Sequence, residues 1–331
     1  MTDLSAELSS ASEKVNRFLN EAIATGKPEE LYEASRHIVS AGGKRLRPFI
    51  VLESCKLVGG DPENAVPIAA AVELVHNFTL VHDDIMDQDE KRRGVPTVHV
   101  QYGVPMAINA GDLLFAKAYQ ATLKSMSRGI SPKRTLQALE TLTEAILRIC
   151  EGQAMDMAFV KQGTVEEDEY IEMIGLKTAA LLEASAIVGA TVGGGSNREI
   201  RRLGRAMMAT GIAFQLVDDV LGLTADEAAL GKPVGSDIRE GKKTLIVAHG
   251  LRHMGKRQKE ILLRGLGNKA AEPGTVEAAM NALRSSGSIN YVVRKADLFA
   301  RKAKRELEGF PASETRSLLL ALVDYVVARD R

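Results

Sequence analysis

Two groups of aspartates stand where carboxylates are costly: Asp83-Asp84-Ile85-Met86-Asp87 and Asp218-Asp219, each closing an apolar run. A carboxylate in a hydrophobic helix loses hydration and needs a cation to offset it. On a helix, positions i and i+4 share a face, so Asp83 and Asp87 project together while Asp84 is turned about 100° away. Two like charges so placed call for a counter-ion. Magnesium suits them: it takes oxygen ligands, keeps several waters, and commonly uses one or two carboxylates together with substrate phosphates. A solvated acidic helix end is the plainer alternative, but the preceding residues 74–82 are mostly apolar and imply burial. Asp218 and Asp219 follow Ile212-Ala213-Phe214-Gln215-Leu216-Val217, which puts Gln215 on their face at i+3 and i+4. One such pair is weak evidence. Two matching pairs on two helices are enough to hold several metal ions.

The cations fall in places that suit phosphate. Arg92-Arg93 follow the first aspartate cluster, and Gly42-Gly43-Lys44-Arg45-Leu46-Arg47-Pro48 precedes a helix, since proline fits a first helical turn. Helix N-termini favour anions, and three cations there add to the field. Taken alone this could be a basic surface patch. A glycine-rich loop from Gly231 to Thr244 carries Lys232 and Lys242, lysines being point charges for phosphate. Lys177-Thr178 adds a cation and a hydroxyl inside a helix, where an ordinary exposed lysine is the competing explanation. The six histidines show no metal-ligand spacing, and no Ser/His/Asp arrangement stands out. Acids for a metal and bases for phosphate together predict a magnesium-diphosphate site.

The elements that must position these groups read as helices throughout, with breaks at glycine, proline and asparagine clusters. Helices are expected at roughly 5–24, 29–40, 48–58, 62–88, 105–125, 133–161, 167–192, 198–224, 243–265, 275–286, 288–307 and 313–329. The fold class is all-α, in one domain over 1–331. The charge balance, 43 basic against 43 acidic residues, argues against a nucleic-acid partner. The polar N-terminus lacks the blocks of a signal peptide, and no apolar stretch is read as reaching the roughly 20 residues of a membrane span, so a cytoplasmic protein without a membrane anchor is expected. Cys55 and Cys150, both in helical apolar contexts, are read as buried thiols.

In this order the motifs closely resemble those of the trans-isoprenyl diphosphate synthase (polyprenyl synthetase) family, and within it archaeal short-chain farnesyl and geranylgeranyl diphosphate synthases. The resemblance rests on Gly-Gly-Lys-Arg-Leu-Arg-Pro, the first Asp cluster with its Arg-Arg-Gly, Gly152-Gln153 with Asp156, Lys177-Thr178 and the second Asp pair, across roughly 35–250. It implies an isoprenoid synthase helical bundle around a deep central cavity, as a homodimer. It implies a prenyltransferase that joins isopentenyl diphosphate to dimethylallyl, geranyl or farnesyl diphosphate, with about three Mg2+ per active site. Residue by residue, Asp83, Asp87 and Asp218 would be metal ligands. Arg92, Lys177, Thr178, Gln215, Lys232 and Lys242 would hold the allylic diphosphate, and Lys44, Arg47, His76 and Arg93 isopentenyl diphosphate. The catalytic set would be Asp83, Asp87, Lys177 and Asp218.

The family's second motif commonly ends in a third aspartate, and here that position is Gly222. Weaker metal binding is expected from this, and a non-catalytic or partner-dependent subunit stays open as the alternative. A terpene cyclase or a head-to-head synthase would have no use for a second diphosphate site on Lys44 and Arg47. Phe78, five residues before Asp83, is placed to stop a growing prenyl tail, giving farnesyl and mainly C20 products; plain core packing is compatible with that role. Phe78→Ala should therefore lengthen the product. An unchanged chain-length distribution by chromatography would remove Phe78 as the floor.

Overall fold

The computed structural model describes residues 3–224 and 235–328. They form two compact units, each assembled from separated stretches of chain. The first takes Met1–Ile146, Leu181–Arg205 and Leu307–Ala321, and the second Leu147–Ala180, Ala206–Glu306 and Leu322–Arg331. Several of these boundaries fall within helices rather than in linkers. Among the described residues the structure is helical apart from one two-stranded ribbon.

In chain order the first unit opens with α1 (Leu4–Ala22), α2 (Glu29–Ser40), α3 (Leu46–Leu57) and α4 (Pro62–Asp87). Strands β1 (Lys91–Arg92) and β2 (Val95–Pro96) follow, then α5 (Val98–Tyr102), α6 (Val104–Lys124) and α7 (Pro132–Lys161), which passes into the second unit at Leu147. α1 starts because Asp3 accepts from the Ser5 N–H, and it buries Ala11, Val15, Phe18 and Leu19, an i, i+4, i+7, i+8 stripe. α4 starts likewise, with Asp61 accepting from the Glu63 N–H and Pro62 in the first turn. It is apolar nearly all round and buried almost continuously from Ala65 to Val81, packed on α1, α3 and α6. Gln88, in the left-handed region at φ 59°, ends it.

The Arg-Arg-Gly segment is a hairpin. Arg92 pairs with Val95, and the two residues between them, Arg93 and Gly94, both have positive φ, 53° and 81°. That is the signature of a tight turn matching strand twist, and it is why a glycine follows the arginines. Arg45 is a further case of sequence order set by backbone shape. At φ 49° it turns inward and ion-pairs with Glu73 at 2.7 Å, both side chains 2% exposed. It also donates to Asn16 Oδ1, Gly42 O and Val39 O. The expected trio of phosphate-facing cations is therefore a pair, because a guanidinium with four partners belongs to the frame.

The second unit contains α8 (Glu167–Ile174), which begins with a Glu166/Glu169 capping box. A π-helical turn over Gly175–Ala179 joins it to α9 (Ala180–Gly193), and α10 (Asn197–Thr224) follows; of these, Leu181–Arg205 belong to the first unit. The chain continues through α11 (Ser236–Glu240), α12 (Leu245–His253), α13 (Lys256–Gly265), α14 (Pro273–Ser285), α15 (Ser288–Leu307) and α16 (Glu314–Val327). The core of this unit includes Phe159, Tyr170, Ile174, Leu216, Val220, Ile246, Leu262 and Leu283. Gly152 of α7 lets the π-turn approach: a Cβ there would meet the Lys177 backbone nitrogen at 2.3 Å.

Most expected helices are present within a residue or two. The expected 243–265 helix is broken at Met254 and Gly255, whose extended backbone ends α12 and starts α13. The hairpin, α5 and α11 are short elements that helical periodicity does not reveal. Cys150 is exposed, contrary to expectation; Cys55 is buried, and neither forms a disulfide. Three helical segments (α4, 167–193 and α10) are long and apolar enough to cross a membrane, contrary to the reading of the sequence. In the structure 78%, 78% and 61% of those windows are buried in protein, so their apolar surface serves the core.

Removing one member of a buried pair leaves a desolvated charge, at a cost of about 3–5 kcal/mol. Glu73→Ala should thus lower unfolding stability by that order in urea denaturation. A loss within about 0.5 kcal/mol, the usual range for surface substitutions, would deny the pair its structural role.

Candidate active site

The last turns of α4 divide the first aspartate cluster. Asp84 is fully buried, while Asp83 and Asp87, the i, i+4 pair, are half-buried. Arg92 reaches Asp84 Oδ1 from Nε and Nη2, both at 2.6 Å, and lies 3.5 Å from Asp89. Burial opposes the charge of Arg92, but the hydrogen bond and charge of Asp84 outweigh it and raise its pKa. Arg92, read from the sequence as a diphosphate ligand, is thus held on a carboxylate, with 21% of its side chain exposed.

About two turns back along α4 from Asp83, His76 Nε2 lies 3.3 Å from Arg47 Nη1. A neutral imidazole accepts that guanidinium proton, and the environment keeps it neutral: burial lowers the His76 pKa well below its usual value, and Arg47, Arg93, Arg92 and Arg45 lower it further. Arg93 donates to Gly42 O, which joins the hairpin to the glycine turn, and Lys44 is exposed beside it. Cations gathered in this way suit an anionic ligand. Phe78 is buried, with its ring edge-to-face on Phe115 and His82 at 5.4 and 5.5 Å. Phe115 in turn meets Tyr119 at 5.0 Å, so an aromatic row runs from α4 along α6.

The second unit brings the other predicted residues together. π-Turns are frequent at functional positions, and this one presents two adjacent side chains. Lys177 donates to Asp156 at 2.6 Å, and Thr178 donates to Gln215 Oε1 at 2.8 Å. Gln215 passes the order on, donating to Asp219 Oδ1 at 3.1 Å, while the Tyr170 hydroxyl donates to Asp219 Oδ2 at 2.5 Å. Burial pushes the Asp219 carboxyl up to about 7 against the pull of those two hydrogen bonds. Burial and the neighbouring Asp219 likewise raise the Tyr170 phenol. Lys242 lies 2.9 Å from Glu240 and 3.7 Å from Asp237. A cavity of about 100 Å³ is lined by Asp156, Lys177, Thr178, Gln215, Asp219, Asp237 and Lys242, among others.

Asp218, half-buried, precedes Asp219 on α10, and Lys232 lies outside the described residues. Sequence reasoning missed Tyr170 and Asp237; Tyr170 is 49 residues from its partner, and only the need of a buried hydroxyl for a partner hints at it. A larger cavity of the same unit, about 440 Å³ beside the stacked His249 and Tyr291 rings, contains none of the predicted site residues.

Among the described residues, no three or more His, Cys, Asp and Glu side chains form a ready-made metal cage. The donors come instead as half-buried aspartates, Asp83 with Asp87 and, separately, Asp218. All are hard oxygen ligands, and sparse carboxylates are what magnesium accepts when waters and phosphates complete its shell.

A polyprenyl synthetase family model matches residues 28–283. The chain is 44% identical to the short chain isoprenyl diphosphate synthase of Methanothermobacter thermautotrophicus, over 96% of each chain. It is 47% identical to the geranylgeranyl diphosphate synthase of Sulfolobus acidocaldarius, over 84% of each. Its structure is similar to geranylgeranyl pyrophosphate synthetase from Pyrococcus horikoshii, with a TM-score of 0.92 and 46% identity over 99% of this chain and 98% of the other.

The imidazole of His76 carries a pH signature. Its folded pKa lies below the unfolded value of about 6.5, so its contribution to stability is present above that pH and is lost as pH falls, by up to 1.36 kcal/mol per unit. As pH falls from 7.5 to 5.0 the wild type should therefore lose more stability than His76→Gln in urea unfolding. Parallel losses would show that the fold does not depress the His76 pKa.

Proposed function

The chain belongs to the polyprenyl synthetase family, and from that premise we propose that it condenses isopentenyl diphosphate with dimethylallyl, geranyl and farnesyl diphosphates, giving farnesyl and mainly geranylgeranyl diphosphate. It is a prenyltransferase of the trans-isoprenyl diphosphate synthase type. The observation that supports the substrate reading is that cationic and hydrogen-bonding side chains gather in two separate sets. Arg47, His76 and Arg93, with Lys44, suit isopentenyl diphosphate; Lys177, Thr178, Gln215 and Lys242 suit the allylic one. A single-substrate cyclase needs one set, and a non-catalytic subunit needs neither.

The family is magnesium-dependent, and Asp83, Asp87 and Asp218 are the residues that would hold the ions, about three of them. Bound magnesium neutralises the leaving diphosphate and so eases cleavage of the allylic C–O bond. The chain's own groups supply position and charge. Asp156 fixes the Lys177 ammonium, and Gln215 orients the Thr178 hydroxyl, so both meet an allylic phosphate without first having to reorganise. Neutral His76 holds the Arg47 guanidinium in place. No side chain is assigned as the base; the departed diphosphate takes the proton. The Phe78–Phe115 pair is an apolar stop for the tail, which supports a C20 limit.

We take residues 1–331 as one functional domain, since unit boundaries fall within helices. Two cysteines without a disulfide suit the cytoplasm. A homodimer is supported by Val104, Ile108 and Leu123, exposed apolar residues along α6.

The test is turnover of labelled isopentenyl diphosphate with each of the three primers, with and without magnesium, followed by chromatography. A magnesium-dependent C20 product, lost in Asp83→Ala with circular dichroism unchanged, is expected. No product from any primer would favour the partner-dependent subunit, and turnover retained in Asp83→Ala would remove that ligand.

A further inference from the structure

The second unit holds a cavity that the proposed reaction does not use. Its volume of about 440 Å³ falls within the roughly 300–1,000 Å³ of small-molecule sites. The apolar part of its lining includes Val165, Leu245, Ala248 and Leu251. Three rings that also line it form a row. His249 lies 4.2 Å from Tyr291, with 21° between the planes, and 4.3 Å from His253, with 33° between them. Lys295 Nζ stands 5.5 Å from the Tyr291 ring, and the exposed His253 ends the row.

The charges around this cavity are matched except one. Arg252 reaches Glu166 at 2.8 Å, Lys295 reaches Glu167 at 2.5 Å, and the Tyr291 hydroxyl donates to the Glu167 carboxylate as well. Lys243 lines the cavity half-buried, and among the described residues its ammonium has no ion pair or hydrogen bond. Burial lowers its pKa, and no nearby carboxylate offsets that. An ammonium part way out of water, between apolar and aromatic walls, suits an anion with an apolar body.

The same lysine stands on the backbone of the candidate active site. Lys242 and Thr244 line the smaller cavity with Lys177 and Thr178, whereas Lys243 and Leu245 line the larger one. Extended chain alternates its side chains in this way, and Thr244 is extended, at φ −58° and ψ 162°. One short stretch of backbone therefore serves both cavities.

We propose that the larger cavity is an effector site for a small planar aromatic molecule with one anionic group, its ring against the histidine–tyrosine row and its anion on Lys243. An anion held there steadies the 242–245 backbone, and with it the Lys242 ammonium assigned above to the allylic diphosphate. The effect on turnover rests on that assignment; the binding does not.

The test is isothermal titration calorimetry of the full chain with naphthalene-2-sulfonate, in excess inorganic pyrophosphate to occupy the diphosphate sites. The wild type should bind one equivalent. Naphthalene-2-sulfonamide, the same ring without the charge, should bind at least about tenfold more weakly, a charge-assisted hydrogen bond being lost. Lys243→Gln should weaken the sulfonate by a similar factor and leave the sulfonamide unchanged, and Ala248→Phe, which fills the cavity, should bind neither. The sulfonamide comparison needs no variant, so the site stays testable should neither variant fold. No binding of the sulfonate, equal binding of the two probes, wild-type affinity in a folded variant, or displacement by pyrophosphate would each overturn the site. In turnover assays the sulfonate should lower the Michaelis constant for geranyl diphosphate about fivefold in the wild type and not in Lys243→Gln. Binding without that shift would overturn the effector role. A chain that binds the probe but makes no product from any primer would overturn the functional reading and the effector role, with the binding site upheld.

Discussion

A charge inside an apolar helix must be matched, and both aspartate motifs meet that constraint by dividing the work between neighbours. Asp84 turns inward to Arg92, while Asp83 and Asp87 stay half-buried. Asp219 turns inward to Tyr170 and Gln215, while Asp218 stays half-buried. One carboxylate of each doublet fixes the helix terminus or face, and that fixing aims the other. Helical geometry forces the division, because adjacent residues lie about 100° apart and cannot both serve the same ligand.

The same rule sorts the cations. Arg45 is spent on Glu73 and three further hydrogen bonds in the frame, whereas Arg47, two residues on, meets His76 at the partly exposed edge. The irregular backbone between the regular helices serves this sorting. A positive φ turns Arg45 in, a tight hairpin separates Arg92 from Arg93, and a π-turn sets Lys177 beside Thr178. Each irregularity sits next to a charged group, and each relies on a neighbour that tolerates it, such as Gly94 or Gly152.

Much of this was legible in the sequence. The i, i+4 spacing of Asp83 and Asp87, the long apolar helices and the glycine and proline breaks are local patterns, and α4 and α10 lie where periodicity puts them. What was not legible depends on direction rather than type. Lys44, Arg45 and Arg47 look alike in a string of cations, and only a backbone dihedral separates the structural one from the others. Asp237 and Tyr170 act on α10 from segments distant in sequence, so no spacing rule finds them. Long apolar runs were ambiguous in another way, since composition does not distinguish a helix buried in protein from one that spans a membrane.

The division within the first doublet can be examined in one experiment, by comparing Asp83→Asn with Asp84→Asn for melting temperature and magnesium-dependent product formation. Asp83→Asn should lose turnover and keep the wild-type melting temperature. Asp84→Asn should melt lower, because the partly buried Arg92 loses its ionic partner. An Asp84→Asn protein as stable as wild type, or an Asp83→Asn protein that still turns over, would contradict the account at its centre.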